Sequence, residues 1–182
     1  MFSTMITISW RAAGVAAAAL LCAALAGCAP ELNWREVPGK DGAYSVLLPA
    51  KPATHSRSVD LDGLKVEMDM TGAAVGELSF AVASAHIPDA TQRATALAAM
   101  QTAMLRNIGA DSHSEKPVIL KGGAQATEIV ASGKGLRDGR ALQMYGRFAI
   151  RGERVYQAVA VGPQDALSPE AADTFLTSLS LR

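Results

Sequence analysis

The chain has 182 residues, 17 of them basic and 17 acidic, for a formal net charge of zero at pH 7. That balance supplies no general drive toward nucleic acid or an anionic surface. Aromatic residues make up only 5%, which argues against a stacking platform for single strands or carbohydrate.

Residues 1–27 read as a secretory signal peptide and not as part of the fold. Arg11 is the only charged side chain before Glu31, and the run from Ala12 to Ala26 is almost wholly apolar. A run of this length suits a signal core, whereas a membrane-spanning helix needs about 20 apolar residues. Met5 is an alternative start to Met1. The run ends in Leu25-Ala26-Gly27-Cys28, just ahead of Ala29-Pro30. This tetrapeptide resembles the lipobox of bacterial lipoproteins. The resemblance implies lipid attachment, with palmitate-type acyl chains, at the Cys28 sulfur and cleavage before Cys28. Small residues at 26 and 27 let the backbone enter a narrow peptidase site, and the sulfur is the nucleophile. An ordinary secretory signal with a chance cysteine, or an uncleaved anchor, is the alternative.

Cys22, the other cysteine, leaves with the leader, so the processed chain keeps no pair for a disulfide. Two or three acyl chains at about 0.8 kcal/mol per buried CH₂ make a long-lived anchor. The membrane is then a partner through the N-terminal lipid, and the location is the cell envelope. Residue 29 is Ala and not Asp. By resemblance to the sorting rule of enteric bacteria, that points to the outer membrane, facing the periplasm. Cleavage before Cys28 leaves 155 residues, which fits a single domain that buries about 68–70% of its unfolded surface.

Residues 28–42 read as a lipidated tether with Pro30, Pro38, Gly39 and Gly42, reaching at most about 50 Å. Within it, Trp34 either packs back on the domain, which is the favoured reading, or sits at the lipid surface. Residues 43–182 form the domain. Tyr44–Leu48 is a first strand, stopped by Pro49 and Pro52. Asp62-Gly63 is a hairpin turn. It sets Leu61 opposite Leu64, Val59 opposite Val66 and Asp60 opposite Lys65, with apolar pairs on one face and an opposite-charge pair on the other. Glu77 to Ile87 is apolar on both faces and reads as a central strand.

Pro88-Asp89 opens a helix, with Asp89 and Gln92 as a capping-box-like pair. Its buried face is predicted at Ala94, Leu97, Gln101, Met104, Leu105 and Ile108, and Gly109 ends it. Strands follow at 117–120 and 124–131 around Gly122-Gly123. Residues 133–139 are a polar loop. Strands at 141–150 and 153–161 form a hairpin about Arg151-Gly152. Ser168 caps a last helix with Pro169 in its first turn and a buried stripe of Ala172, Phe175, Leu176 and Leu179.

The fold class is therefore α+β: an antiparallel sheet of about six to eight strands with helices packed on it. Asp41–Pro49, the hairpin from Tyr145 to Pro163, and the closing Phe175–Leu181 segment resemble small exported bacterial domains with a PsbP-like α/β/α sandwich. The resemblance spans much of residues 34–181 and implies a fold. No functional residue of the photosystem role of PsbP can be matched.

His55, His86 and His113 fall on three separate elements without ligand spacing, and each reads as structural or surface. Asp111-Ser-His-Ser114 holds neighbours in sequence, which rarely form a triad. Asp60-Leu-Asp62-Gly63 with Glu67 lacks calcium-loop spacing, and the hairpin explains every residue. The glycines of Gly133–Gly139 are misplaced for a phosphate loop, and a strand follows where a helix is required. No cofactor and no metal is expected. One binding patch is predicted on the second hairpin. Tyr145, Arg147, Arg154 and Tyr156 share a face, with Arg147 across from Tyr156, and could hold an anionic group or a partner carboxylate.

Three functions follow. The leading one is a non-enzymatic binding or assembly module that docks an envelope protein near the membrane, with no nucleic acid partner. The alternative is a small-ligand carrier or sensor with a pocket between sheet and helix. The third, an envelope hydrolase, needs convergent acid, base and nucleophile that the chain does not assemble.

Overall fold

The computed structural model describes residues 32–136 and 138–182. The expected signal peptide and lipobox, with Cys28, lie outside the described residues. The elements run β1 (Arg35–Pro38), β2 (Tyr44–Leu48), β3 (Ala53–Leu61), β4 (Leu64–Val75), β5 (Leu78–His86), α1 (Ala90–Asn107), β6 (Ala110–Ile119), β7 (Gln125–Lys134), β8 (Ala141–Arg151), β9 (Arg154–Pro163), α2 (Pro169–Ser178) and β10 (Ser180–Leu181). Every pairing between named strands is antiparallel, most of them between chain neighbours, with β5–β9 and β2–β10 joining distant segments. A seven-stranded sheet has the order β3-β4-β5-β9-β8-β7-β6, and a three-stranded sheet has the order β1-β2-β10. The class is α+β with sheet dominant. No described helix is long and apolar enough to cross a membrane.

Turn chemistry sets the registers. Asp62 and Gly63 both have positive φ, 57° and 85°, the geometry of the tight hairpin turn that matches strand twist. The pairs Leu61↔Leu64, Asp60↔Lys65 and Val59↔Val66 form as predicted. The second hairpin differs. Arg151 pairs with Arg154, and Met144 with Val161, so the turn is Gly152-Glu153 and not Arg151-Gly152. Gly152 alone takes positive φ, 58°. Arg151 in the first turn position would have carried a Cβ into the left-handed region, and moving the turn forward gives that place to glycine. The shift is two residues, so the faces are kept but the partners change. Arg147 stands opposite Ala158, not Tyr156.

Each face of the large sheet has its own core. On one face α1 covers Met68, Ala85, Ile87, Ile129, Met144, Phe148 and Val155 through Ala96 and Met100. On the other, α2 and the three-stranded sheet cover Phe80, Val82, Tyr156 and Ala158 through Tyr44, Val46, Leu48 and Phe175. β5 serves both, as its two apolar faces predict: Phe80 and Val82 point one way, Ala83 and Ala85 the other. Each fully buried Phe or Leu contributes about 1.5–3 kcal/mol relative to exposure. The Phe80 ring bridges Trp34 at 5.7 Å and Phe175 at 5.5 Å, both edge-on.

Several expected elements differ. Residues 35–38, assigned to the tether, are strand β1. It pairs with β2, buries Val37, and follows Trp34, which packs on the core. β6 begins at Ala110 and not at 117, because its polar first half pairs with β7 at the sheet edge. Pro117 is tolerated there, since an edge strand has one ladder to satisfy. Ser180–Leu181 leaves α2 as β10 and pairs with β2. On α1 the buried stripe centres on Ala96 and Met100, and Ala94 is exposed. Asp89 caps through the Thr91 N–H and hydroxyl, with no reciprocal Gln92 side-chain bond among the described residues. Ser168 caps α2 through the Ala171 N–H, and Ala172, Phe175, Leu176 and Leu179 are buried as predicted.

Candidate functional site

On the face covered by α2, the side chains of β3 to β9 line up in rows across the sheet. One row holds Thr71, Val82, Ala158, Arg147, Glu128 and Lys116. The next holds Asp69, Ser84, Tyr156 and Ala149. A third, at the sheet end, holds His86, Arg154 and Arg151. The four predicted patch residues are spread over this face. Arg147 and Arg151 are four residues apart on β8, about 13 Å at strand rise, so Arg147 and Arg154 do not converge.

Arg147 lies under cover. Its guanidinium meets Glu128 at 2.8 Å and donates from Nη1 to the Leu176 carbonyl at 2.9 Å. Lys116 reaches the same carboxylate at 2.9 Å. The Arg147 and Glu128 side chains are only 10% and 12% exposed. Burial alone would raise the Glu128 pKa. Hydrogen bonds from Lys116 and Arg147, with their positive charge, outweigh it and hold the carboxyl below the usual range. This cluster ties the last turn of α2 to the middle of the sheet. Tyr145, on the neighbouring row, packs half-buried against the α2-side core.

Arg154 and Tyr156 belong to the open end. Tyr156 is buried, its ring edge-on to Tyr44 at 6.3 Å. Burial pushes its phenol pKa up, and the charges of Arg154 and Arg151 pull it partly back. Beyond Tyr156 the cover stops. Arg151 is exposed and Arg154 half-buried, and the two stand directly opposite each other across the hairpin end. Neither has an ion-pair partner among the described residues. His86, next to Arg154 in the row, bonds Glu153 at 3.0 Å. Asp69 is held by Lys40 at 2.8 Å and by the Ser56 hydroxyl. Burial alone would raise the Asp69 pKa, but those two hydrogen bonds and the nearby positive charges lower it.

Arg151 and His86 were not in the predicted patch. The shifted register puts Arg151 beside Arg154, and His86 arrives from β5, a neighbour that only the sheet order reveals. His55 and His113 lie on the two edge strands β3 and β6. Among the described residues no three His, Cys, Asp or Glu side chains gather to hold a metal. The space between α1 and the sheet is filled by Met68, Met100, Ile129, Met144 and Phe148. Surface grooves flank it: about 410 Å³ beside Asp60, Thr95 and Arg106, and about 500 Å³ beside Leu97, Ile119 and Ile150.

No family model matches the chain, and no curated protein matches it. Among solved structures it is similar to a crystal structure from Bacteroides thetaiotaomicron VPI-5482 at 1.50 Å resolution, with 12% identity and a TM-score of 0.48. The match covers 84% of this chain and 49% of the other, so the chain spans about half the length of that protein.

Proposed function

We propose that this chain is a cell-envelope lipoprotein, anchored through Cys28 and facing the periplasm from the outer membrane. Its domain is a non-enzymatic binding or assembly module, with the PsbP-like α/β/α sandwich as its finer fold. The observation that carries the reading is the Leu25-Ala26-Gly27-Cys28 segment standing six residues ahead of Trp34, which packs edge-on against Phe80. Six extended residues reach roughly 20 Å, so a lipid on Cys28 would hold the domain close to its membrane. The sandwich reading is supported by α1 on one face of the large sheet and α2 on the other. The binding reading is supported by Arg151 and Arg154 at the open sheet end, set on interior strands. The carrier reading has less support, because side chains fill the space between α1 and the sheet.

The test is radiolabelled palmitate incorporation into the full chain, with membrane fractionation and cross-linking in whole envelopes. Cys28→Ser is expected to abolish labelling, release the protein to the soluble periplasmic fraction, and weaken recovery of its membrane-proximal partner. Equal labelling or unchanged membrane association of Cys28→Ser overturns the anchor.

A further inference from the structure

We propose that Arg151 and Arg154, with His86 beside them, form the docking site for a carboxylate-rich segment of a partner protein. This names the partner chemistry of the binding module proposed above and rests on that reading. Like charges directly opposite on antiparallel strands are destabilising, and Arg151↔Arg154 is such a pair. The acids on that side make their hydrogen bonds elsewhere, Glu153 to His86 and Asp69 to Lys40 and Ser56, although the Arg154 charge also helps to lower the Asp69 pKa. Glu67 is exposed on β4 and makes no ion pair among the described residues. Two guanidinium forks on directly opposed residues, without an ion-pair partner among the described residues, fit carboxylates, which each fork can take through paired hydrogen bonds.

The scaffold is rigid. β5, β9 and β8 are interior strands of the seven-stranded sheet, and buried Tyr156 lies one row behind the arginines. A charged group arriving there meets side chains carried on a fixed backbone. Trp34 packs on Phe80, six residues along β5 from His86, or about 20 Å at strand rise. The site therefore stands at the sheet end away from the Trp34–Phe80 contact. The side-chain carboxylates of a protein segment match both forks, and phosphate and lipid vesicles test the other acids.

The experiment titrates the full chain carrying Cys28→Ser with hexaglutamate, following backbone amides by NMR. Inorganic phosphate and phosphatidylglycerol vesicles are the parallel arms. The expected result is saturable shifts at His86 and at 151–156, lost at high salt. Arg151→Ala and Arg154→Ala should each weaken binding about tenfold, with amides elsewhere unmoved, while Arg35→Ala on β1 binds as the parent. Lysine at both positions should bind between parent and alanine variants, because charge remains and the fork is lost. Absence of saturable shifts, or equal affinity of the alanine variants, overturns the proposal. So does phosphate or the vesicles binding as tightly as the peptide. The anchor plays no part in this measurement, so failure here is distinct from failure of palmitate labelling.

Discussion

Arg147 and Arg151 lie on one strand, on one face of one sheet, four residues apart. Arg147 sits beneath α2, 10% exposed, with Glu128 and the Leu176 carbonyl as partners. Arg151 lies past the edge of that cover, opposite a second arginine. Strand alternation assigns both to the same side and says nothing of what lies above them. The difference comes from the α2 layer and the three-stranded sheet, which reach as far as Tyr156 and stop. Burial turns one guanidinium into a fastening, and exposure leaves the other available.

The largest effect should come from breaking the covered half. Arg147→Ala leaves Glu128 in a mostly buried place with only Lys116. Removing one partner of a buried ion pair costs about 3–5 kcal/mol, and the residual exposure of both groups puts the expected loss near the lower figure. Urea denaturation measures it. Replacing both residues together, Arg147→Met with Glu128→Leu, should recover most of the loss, because an apolar pair carries no orphaned charge. A loss under about 1 kcal/mol for Arg147→Ala would put this pair with ordinary surface salt bridges.

Acid sharpens the same contrast with a smaller effect. Glu128 and Asp69 both have folded pKa values lowered by their partners. An unfolded carboxyl titrates near about 4. The folded protein binds fewer protons than the unfolded chain in this range, so stability falls with falling pH. Their contribution is complete above the unfolded value and is lost as pH drops through the lower folded values. A series of urea midpoints from pH 7 to pH 3 should slope down most below about pH 5, and Glu128→Gln should flatten that slope. An unchanged slope in Glu128→Gln would mean that its charge does not stabilise the fold.

What the residues made legible was local. Asp62-Gly63 gave its register, Ser168-Pro169 its helix start, and the double alternation of β5 its covered faces, because each rests on side chains a few positions apart. β1, the first half of β6, and β10 were not legible. Their residues carry little apolar alternation, and they become strands only because a distant partner supplies the ladder: β2 for β1 and β10, β7 for β6. The second hairpin shows a finer limit. A single glycine among Arg, Gly and Glu allows two turns, and only the demand for positive φ at the first position selects Gly152-Glu153. That choice moved Arg147 away from Tyr156 and brought Arg151 to Arg154. The candidate site was therefore half visible: Arg154 and Tyr156 stood out as residues, but their neighbours depend on register and sheet order.

The smallest effect should have the opposite sign. If Arg151 and Arg154 repel across the hairpin end, Arg151→Thr removes the repulsion and places a residue suited to strands beside Tyr156. Stability should rise by a few tenths of a kcal/mol, the scale of cross-strand pairs, while Arg147→Ala at the covered end lowers it. A gain that small calls for a double-mutant cycle with Arg154→Thr. The repulsion is present only when both arginines are, so the second substitution should add little once the first is made. The repulsive term should also shrink in high salt, since exposed charges are screened. Additive substitutions with no salt dependence would mean the two guanidiniums point apart in solution. The open end would then be an ordinary wet rim, and the contrast with Arg147 one of burial alone.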